Sequence, residues 1–353
     1  MTPLAALLIQ HITAAGPITV ADYMAECLMH PQHGYYSTRD PFGRAGDFTT
    51  APEISQMYGE LLGLCLAQSW LDQGAPSPFT LAELGPGRGT LMADVLRATR
   101  HVPGFHAAAQ VHLLEASPTL RAVQATTLGA FRVIWLNSID ALPEQPLFLL
   151  ANEFFDALPI HQFQRDDTGW RQRMVGVVDG TLGFGLSDLV PSAMVGALFA
   201  NDPPGTTVEV CPALRPFAAT IAHRIHHHGG TAIIVDYGGW RAKGDTLQAL
   251  RAHAPEHPLA HPGAADLTAH VDFEALALAL QGLPHSPLTA QGDLLTRLGI
   301  HARADRLALN LSGAALDNHR NATRRLTAPN EMGTLFKAMA VYASNAPPPP
   351  GFD

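Results

Sequence analysis

From Phe79 onward the chain repeats one constraint: short, continuous apolar runs alternate with stretches long enough to carry a helix back across a sheet. The runs fall at 80–84, 111–114, 131–136, 146–151 and 231–235, and the segments 90–100 and 119–128 have helical spacing. A run apolar on both faces suits a strand buried between two helical layers. Such β/α alternation specifies a doubly wound, mostly parallel α/β sheet. A chain of 353 residues admits one large domain with insertions or two domains.

The flanks read differently. Residues 1–75 are expected to be helices and loops, with helical spacing at 20–30 and 54–70 around a turn-rich segment at 33–53. After Ala151, 161–165, 170–178 and 181–186 read as antiparallel strands with turns at 166–169 and 179–180, an inserted β-element within 160–210. A helix at 212–228 returns to the run at 231–235; 240–330 reads as a helical, loop-rich cap, and 335–342 as a last strand. The expected division is 1–75, a core at 76–240, a cap at 241–330 and a final strand and tail at 331–353.

Composition narrows the classes. A net charge of -9 without a Lys/Arg run lacks the basic stripe a dedicated nucleic-acid binder needs. Cys27, Cys65 and Cys211 lie far apart without a CxxC, against a disulfide scaffold and a zinc site. His226, His227 and His228 are adjacent on an expected helix and point apart, and Pro258 and Pro262 interrupt the His257/His261 spacing. No metal is expected. The first fifteen residues read as an amphipathic helix without presequence character, too short to span a bilayer, which suggests a bacterial-type cytoplasm.

The first apolar run leads through Glu83 into Gly85-Pro86-Gly87-Arg88-Gly89 and a helix opening at Thr90. In a doubly wound sheet ligands bind at the carboxyl ends of the strands. A dinucleotide fingerprint is G-x-G-x-x-G with bare amides facing a pyrophosphate; here the third glycine comes one residue early and an acid precedes the loop. That acid would repel a pyrophosphate and suits a ligand bearing a sulfonium and an amino group, S-adenosylmethionine. Glu115 ends the second run, where a carboxylate accepts from ribose hydroxyls. Ser138 and Ile139 follow the third, where an adenine would lie.

After the fourth run comes Asn152-Glu153-Phe154-Phe155-Asp156, placing carboxylates where a transferred methyl would sit. Such charges are costly to desolvate unless they bind something. A pair of carboxylates suits a guanidinium. A capping role for Asp156 and a structural ion pair for Glu153 are the plain alternatives.

Six segments together carry a resemblance: GDFTTAPEIS at 46–55, ELGPGRGT at 83–90, NEFFDALP at 152–159, VDYG at 235–238, TAHVDF at 268–273 and EMGTLFK at 331–337. In this order they resemble the MidA family, that of the mitochondrial complex I assembly methyltransferase. The resemblance implies a seven-stranded class I methyltransferase (Rossmann-like) sheet and methylation of a protein arginine. For the mitochondrial relative, that arginine lies on a quinone-side subunit of complex I and is dimethylated symmetrically. The expected cofactor set is Glu83, Gly85, Pro86, Gly87, Gly89, Thr90, Glu115, Ser138, Ile139, Asn152, Asp47 and Thr50. The expected catalytic set is Glu153, Asp156, Asn152, Asp236 and His161, the last as a proton relay, with Tyr36 and Glu53 near cofactor or substrate. S-adenosylhomocysteine would be the product. An assembly chaperone that holds the cofactor without turnover, a nicotinamide-dependent oxidoreductase and a small-molecule acceptor remain alternatives.

Overall fold

The computed structural model describes residues 1–38 and 50–352, which divide into two units. Among these residues the sheet unit holds 50–155, 216–240 and 272–352; the second unit holds 1–38, 156–215 and 241–271.

In the sheet unit the seven strands along the main path of the eight-stranded sheet are β1 (Phe79–Leu84), β2 (Ala109–Leu114), β3 (Val133–Leu136), β4 (Leu147–Asn152), β5 (Gly230–Gly239), β6 (Thr289–Ala290) and β7 (Phe336–Tyr342). Their order across the sheet is β6-β7-β5-β4-β1-β2-β3. The five strands from β5 to β3 run parallel, while β7 and β6 pair antiparallel at the edge. Strand succession reverses between β1 and β4, so their carboxyl ends flank the crevice where such sheets bind ligands. Both strands are buried along their whole length, which is why each reads as a mostly apolar run, broken in β1 only by Thr80 and Glu83 and ending in β4 at Asn152. The doubly wound expectation holds.

The helices that matter to the site are α1 (Ala51–Ile54), α2 (Gln56–Asp72), α3 (Thr90–Thr99), α4 (Pro118–Thr127) and α5 (Leu214–His228). α2 lies against α3 at unusually short range because Gly59 and Gly63 face it. A Cβ on Gly59 would stand 2.6 Å from Asp94 Cβ, and one on Gly63 2.9 Å from Val95 Cα. Glu60, between them and 4% exposed, bonds Arg97 Nη1 at 2.5 Å and Arg303 Nε at 2.7 Å. Those bonds hold its carboxyl below the usual range against the opposing cost of burial. Trp70, Phe79, Phe105 and Phe148 pack tilted or edge to face in the same core.

The second unit joins helices Pro3–Ala15 and Val20–Met29 to an antiparallel sheet of His161–Asp166, Gly169–Val178, Thr181–Val190 and Thr207–Val210. Thr19 opens the second helix with a capping box closed by Asp22. The last hairpin strand runs to Val190, beyond the expected 186. Its Gly183, Gly185 and Ser187-Asp188 interrupt the apolar alternation that would extend the reading.

The larger departure is at 240–330, expected to be helices and loops. Gln248–Arg251, Ala254–Glu256 and Asp266–Thr268 form a three-stranded antiparallel sheet. Its hairpin turns at Ala252 and His253, both at positive φ (52° and 61°), a conformation that tight hairpins normally reserve for Asn-Gly. Neither residue carries a turn signal, so the hairpin leaves no trace in the sequence. Among the described residues no helix is long and apolar enough to cross a membrane.

Candidate cofactor and active site

The glycine loop leaves β1 with all three glycines at positive φ: 60° at Gly85, 53° at Gly87 and 81° at Gly89. Gly85 is doubly constrained, because a Cβ there would lie 2.8 Å from Phe154 Cδ2. Its amide donates to Leu114 O of the neighbouring strand at 3.0 Å, and the Gly89 amide donates to Pro86 O at 2.8 Å. The loop then enters α3, whose first residue, Thr90, donates its hydroxyl to the Glu53 carboxylate. Arg88 stands 4.0 Å from the same carboxylate. Glu53 therefore ties α1 to the glycine loop.

Glu83 is 3% exposed, and its Oε2 has no hydrogen-bond partner among the described residues. Burial pushes its carboxyl up to about 8, with Glu115 adding repulsion and a backbone bond from Met92 working the other way. An orphaned carboxylate oxygen beneath a glycine turn is what a cationic amino group would complete. The donor set fits S-adenosylmethionine.

Glu115, after β2, accepts from Ser117 N at 2.7 Å through Oε1 and from Gln124 Nε2 at 3.1 Å through Oε2. Burial raises its carboxyl, opposed by those bonds. Gln124 of α4 is fully buried; its Nε2 also donates to Gly87 O at 2.7 Å, and its Oε1 accepts from Trp135 Nε1 at 2.8 Å. One amide thus braces the glycine loop, Glu115 and β3. Arg121, one turn earlier, donates to Glu115 O at 2.8 Å, to Leu136 O at 3.0 Å and to Asn137 Oδ1 at 2.7 Å, clamping the ends of β2 and β3. Reading 119–128 as a crossover helix misses both residues. The available signal is a glutamine where the helical spacing asks for an apolar residue.

Because Gln124 anchors three polar groups, Gln124→Leu is expected to cost about 2 kcal/mol of stability. It should also weaken S-adenosylhomocysteine binding about tenfold, in proportion to a bond lost beside the ligand. Calorimetry against the wild type checks both, and unchanged affinity would make Gln124 a purely structural brace.

At the end of β4, Asn152 is 9% exposed and Glu153 has φ 52°, the left-handed region. A bulky residue held there costs about 1–3 kcal/mol and persists only where its surroundings over-determine it. They do. The Glu153 amide donates to Val235 O at 2.9 Å. Its Oε1 accepts from Ala51 N at 3.2 Å and from Asn152 Nδ2 at 3.1 Å. Asn152 Oδ1 in turn accepts from the buried Tyr58 hydroxyl. Asp236, fully buried at the end of β5, accepts from the amides of Phe154 at 3.2 Å and Phe155 at 3.0 Å through Oδ2, and from Tyr237 N at 3.0 Å through Oδ1. Its carboxylate shapes the turn after Glu153 from beneath. Phe154, Phe155 and Phe217 stack edge to face next to that turn.

The remaining expected residues distribute as follows. Ser138 caps the short turn after β3 by accepting from Asp140 N at 3.3 Å, and Ile139 is buried in that turn. Thr50 precedes α1 and is 8% exposed. Asp47 lies outside the described residues. Asp156, His161 and Tyr36 belong to the second unit. There Asp156 O accepts from Ala269 N at 3.0 Å, and the Tyr36 hydroxyl donates to Asp266 Oδ1 at 2.8 Å. His161 Nδ1 lies 2.8 Å from Gln172 Nε2, which can only donate. Burial lowers its pKa, offset by Asp22.

The sheet order, the glycine loop and the flanking acids define an S-adenosylmethionine-binding methyltransferase fold. Comparison with known proteins agrees. Residues 61–287 match the family described as "Putative S-adenosyl-L-methionine-dependent methyltransferase", and the chain belongs to that family. It is 38% identical to the human Protein arginine methyltransferase NDUFAF7, mitochondrial, over 86% of this chain and 75% of that protein. To the Drosophila melanogaster homolog it is 37% identical, over 94% of this chain and 83% of the other. A Burkholderia thailandensis protein bound to S-adenosyl-homocysteine superposes with a TM-score of 0.84 at 29% identity, covering 99% of this chain and 92% of that one. The chain is an S-adenosylmethionine-dependent methyltransferase, and the oxidoreductase alternative falls. The cytoplasmic expectation is overturned as well, since these curated relatives are named mitochondrial.

Proposed function

We propose that this methyltransferase acts on an arginine side chain of a protein, and that its target is a quinone-side subunit of respiratory complex I. The arginine reading is supported by the names of the relatives and by the strained Glu153 carboxylate at the end of β4. The complex I target is supported by the resemblance to the MidA family.

When bound, S-adenosylmethionine would supply a methyl group on a positively charged sulfur, open to displacement by a nitrogen lone pair, with S-adenosylhomocysteine as product and the proton of the methylated nitrogen released to solvent. Glu83, Glu115 and the loop from Gly85 to Gly89 would hold its amino group, ribose and backbone-facing parts. Glu153 offers a charged acceptor for the guanidinium N–H groups, which fixes the plane of the acceptor and turns one nitrogen toward the methyl. Carboxylate charge beside the guanidinium also offsets the positive charge of the second reactant. Asp236 positions this group through the Phe154 and Phe155 amides without touching the acceptor.

The test is transfer of tritiated methyl from the donor into protein extract of cells lacking this chain, with the label recovered after hydrolysis as methylarginine. Label in another amino acid, or in no protein, would contradict the arginine reading.

Glu83 adds a pH signature. Its folded pKa of about 8 lies above the ordinary carboxyl value, so the free protein is stabilised by the proton it retains. That contribution is complete below the ordinary carboxyl range and is lost as pH rises through about 8. A cationic amino group binds the ionised form, so S-adenosylhomocysteine affinity is expected to rise from about pH 6 to about pH 8 with release of a proton. Calorimetry in buffers of different ionisation enthalpy checks this. Glu83→Gln should flatten the pH dependence, and a slope that survives the substitution would remove Glu83 from the amino-group site.

A further inference from the structure

One polar group in this site lies outside every motif that points to methyl transfer. Tyr58 sits on α2, is 1% exposed, and belongs to the apolar core beside Met57, Leu61 and Leu62. Phenylalanine would fill the same space, so the hydroxyl needs its own explanation. It donates to Asn152 Oδ1. That bond decides which end of the Asn152 amide faces which neighbour: with Oδ1 turned to Tyr58, Nδ2 faces Glu153 and donates to Oε1 at 3.1 Å. Rotation of the amide would instead set its oxygen against a carboxylate oxygen, replacing a hydrogen bond by repulsion.

The second support of Glu153 Oε1 is the Ala51 amide at 3.2 Å, so the side chain is held from two sides while its backbone stays at φ 52°. Removing one support leaves a strained backbone with less to over-determine it. Tyr58 and Asn152 are both buried, so that end of the network is closed to solvent, while Glu153 is half-buried. In such surroundings each bond polarises the next, and a deletion is felt along the line.

We propose that Tyr58 is a positioning residue for methyl transfer: its hydroxyl locks the Asn152 amide so that Nδ2 holds the Glu153 carboxylate in place for the acceptor. This rests on the reading of Glu153 as the acceptor-binding carboxylate. Tyr58 acts through Asn152, to which its hydroxyl donates. Its removal is expected to act on the rate more than on the donor site.

The experiment uses the full chain, tritiated S-adenosylmethionine at saturation and protein extract from cells lacking this chain, with S-adenosylhomocysteine affinity measured in parallel. Tyr58→Phe is expected to slow methylarginine formation about tenfold, within what a small misplacement of a reacting group costs. S-adenosylhomocysteine affinity should stay within about twofold, which also certifies the fold of the variant. Asn152→Ala should be slow as well, and adding Tyr58→Phe to it should slow it no further, because both act on one path. A wild-type rate in Tyr58→Phe overturns the proposal. So does a rate loss that multiplies in the double variant, or one matched by an equal loss of S-adenosylhomocysteine affinity. The reading beneath it fails separately: Glu153→Gln at the wild-type rate defeats the acceptor role, whereas a slow Glu153→Gln beside a fast Tyr58→Phe defeats the positioning role alone.

Discussion

Glu153→Gln is expected to lower the methylation rate at saturating donor by about a hundredfold, close to about 3 kcal/mol of transition-state stabilisation. The substitution is informative because it conserves so much. Glutamine has the same length, and its carbonyl oxygen can accept both bonds that Oε1 now accepts, from Ala51 N and Asn152 Nδ2. The turn should survive. What disappears is the negative charge, and with it the charge-assisted grip on a guanidinium, which is roughly twice as strong as a neutral bond. S-adenosylhomocysteine affinity should change little. A variant that turns over at the wild-type rate would leave Glu153 as a strained structural residue with no part in holding the acceptor.

Gly85→Ala is expected to abolish the cofactor response. Two costs coincide there. An alanine at φ 60° pays about 1–2 kcal/mol for the left-handed backbone. Its methyl would also stand 2.8 Å from Phe154 Cδ2, closer than carbon atoms pack. Phe154 cannot yield cheaply, because its amide is held by Asp236 and it directly follows Glu153. The strain therefore reaches both the donor loop and the acceptor turn. In a thermal melt, S-adenosylhomocysteine at about a hundred times its dissociation constant stabilises the wild type by about 2.7 kcal/mol. Gly85→Ala should show almost none of that shift. Gly180→Ala is the control: it has φ 77° and nothing within 4 Å of an added Cβ, so it meets the backbone cost alone and should keep the full response. A full response from Gly85→Ala would mean the loop tolerates a side chain and is not the donor cradle.

Much of the sheet is readable because burial on both faces leaves a local trace. β1 and β4 are mostly apolar runs whose ends fall within a residue or two of the expected ones. β3 begins two residues later than its apolar run, since Phe131 looks like strand but is 38% exposed in the preceding turn. The glycine loop and the acids Glu83 and Glu115 are readable for a related reason: their spacing to strand ends is a short-range property. The hairpin at Ala252 and His253 is not, since its conformation is imposed by the strands it joins.

The site shows the same limit. Glu153 stands out as a charge on the end of an apolar strand, but nothing in its neighbours in sequence foretells a left-handed backbone. Tyr58, 94 positions from Asn152, reads from the sequence as one more large residue on an apolar helix. Gln124 is 37 positions from Gly87, and although it stands on the apolar face of its helix, nothing in the sequence shows that this face closes onto the loop. Asp236 is expected beside the reaction, and its carboxylate is instead committed to the amides of Phe154, Phe155 and Tyr237. Pairings of this range exist only once the sheet has formed.

The central claim is methylation of a protein arginine, and one measurement meets it directly. Arginine methylation should be mapped by mass spectrometry across respiratory complex I in cells with and without this chain, and in cells carrying Glu153→Gln. The expected result is a methylated arginine on a quinone-side subunit that vanishes in the deletion and stays absent with Glu153→Gln. The same arginine methylated equally in all three would contradict it.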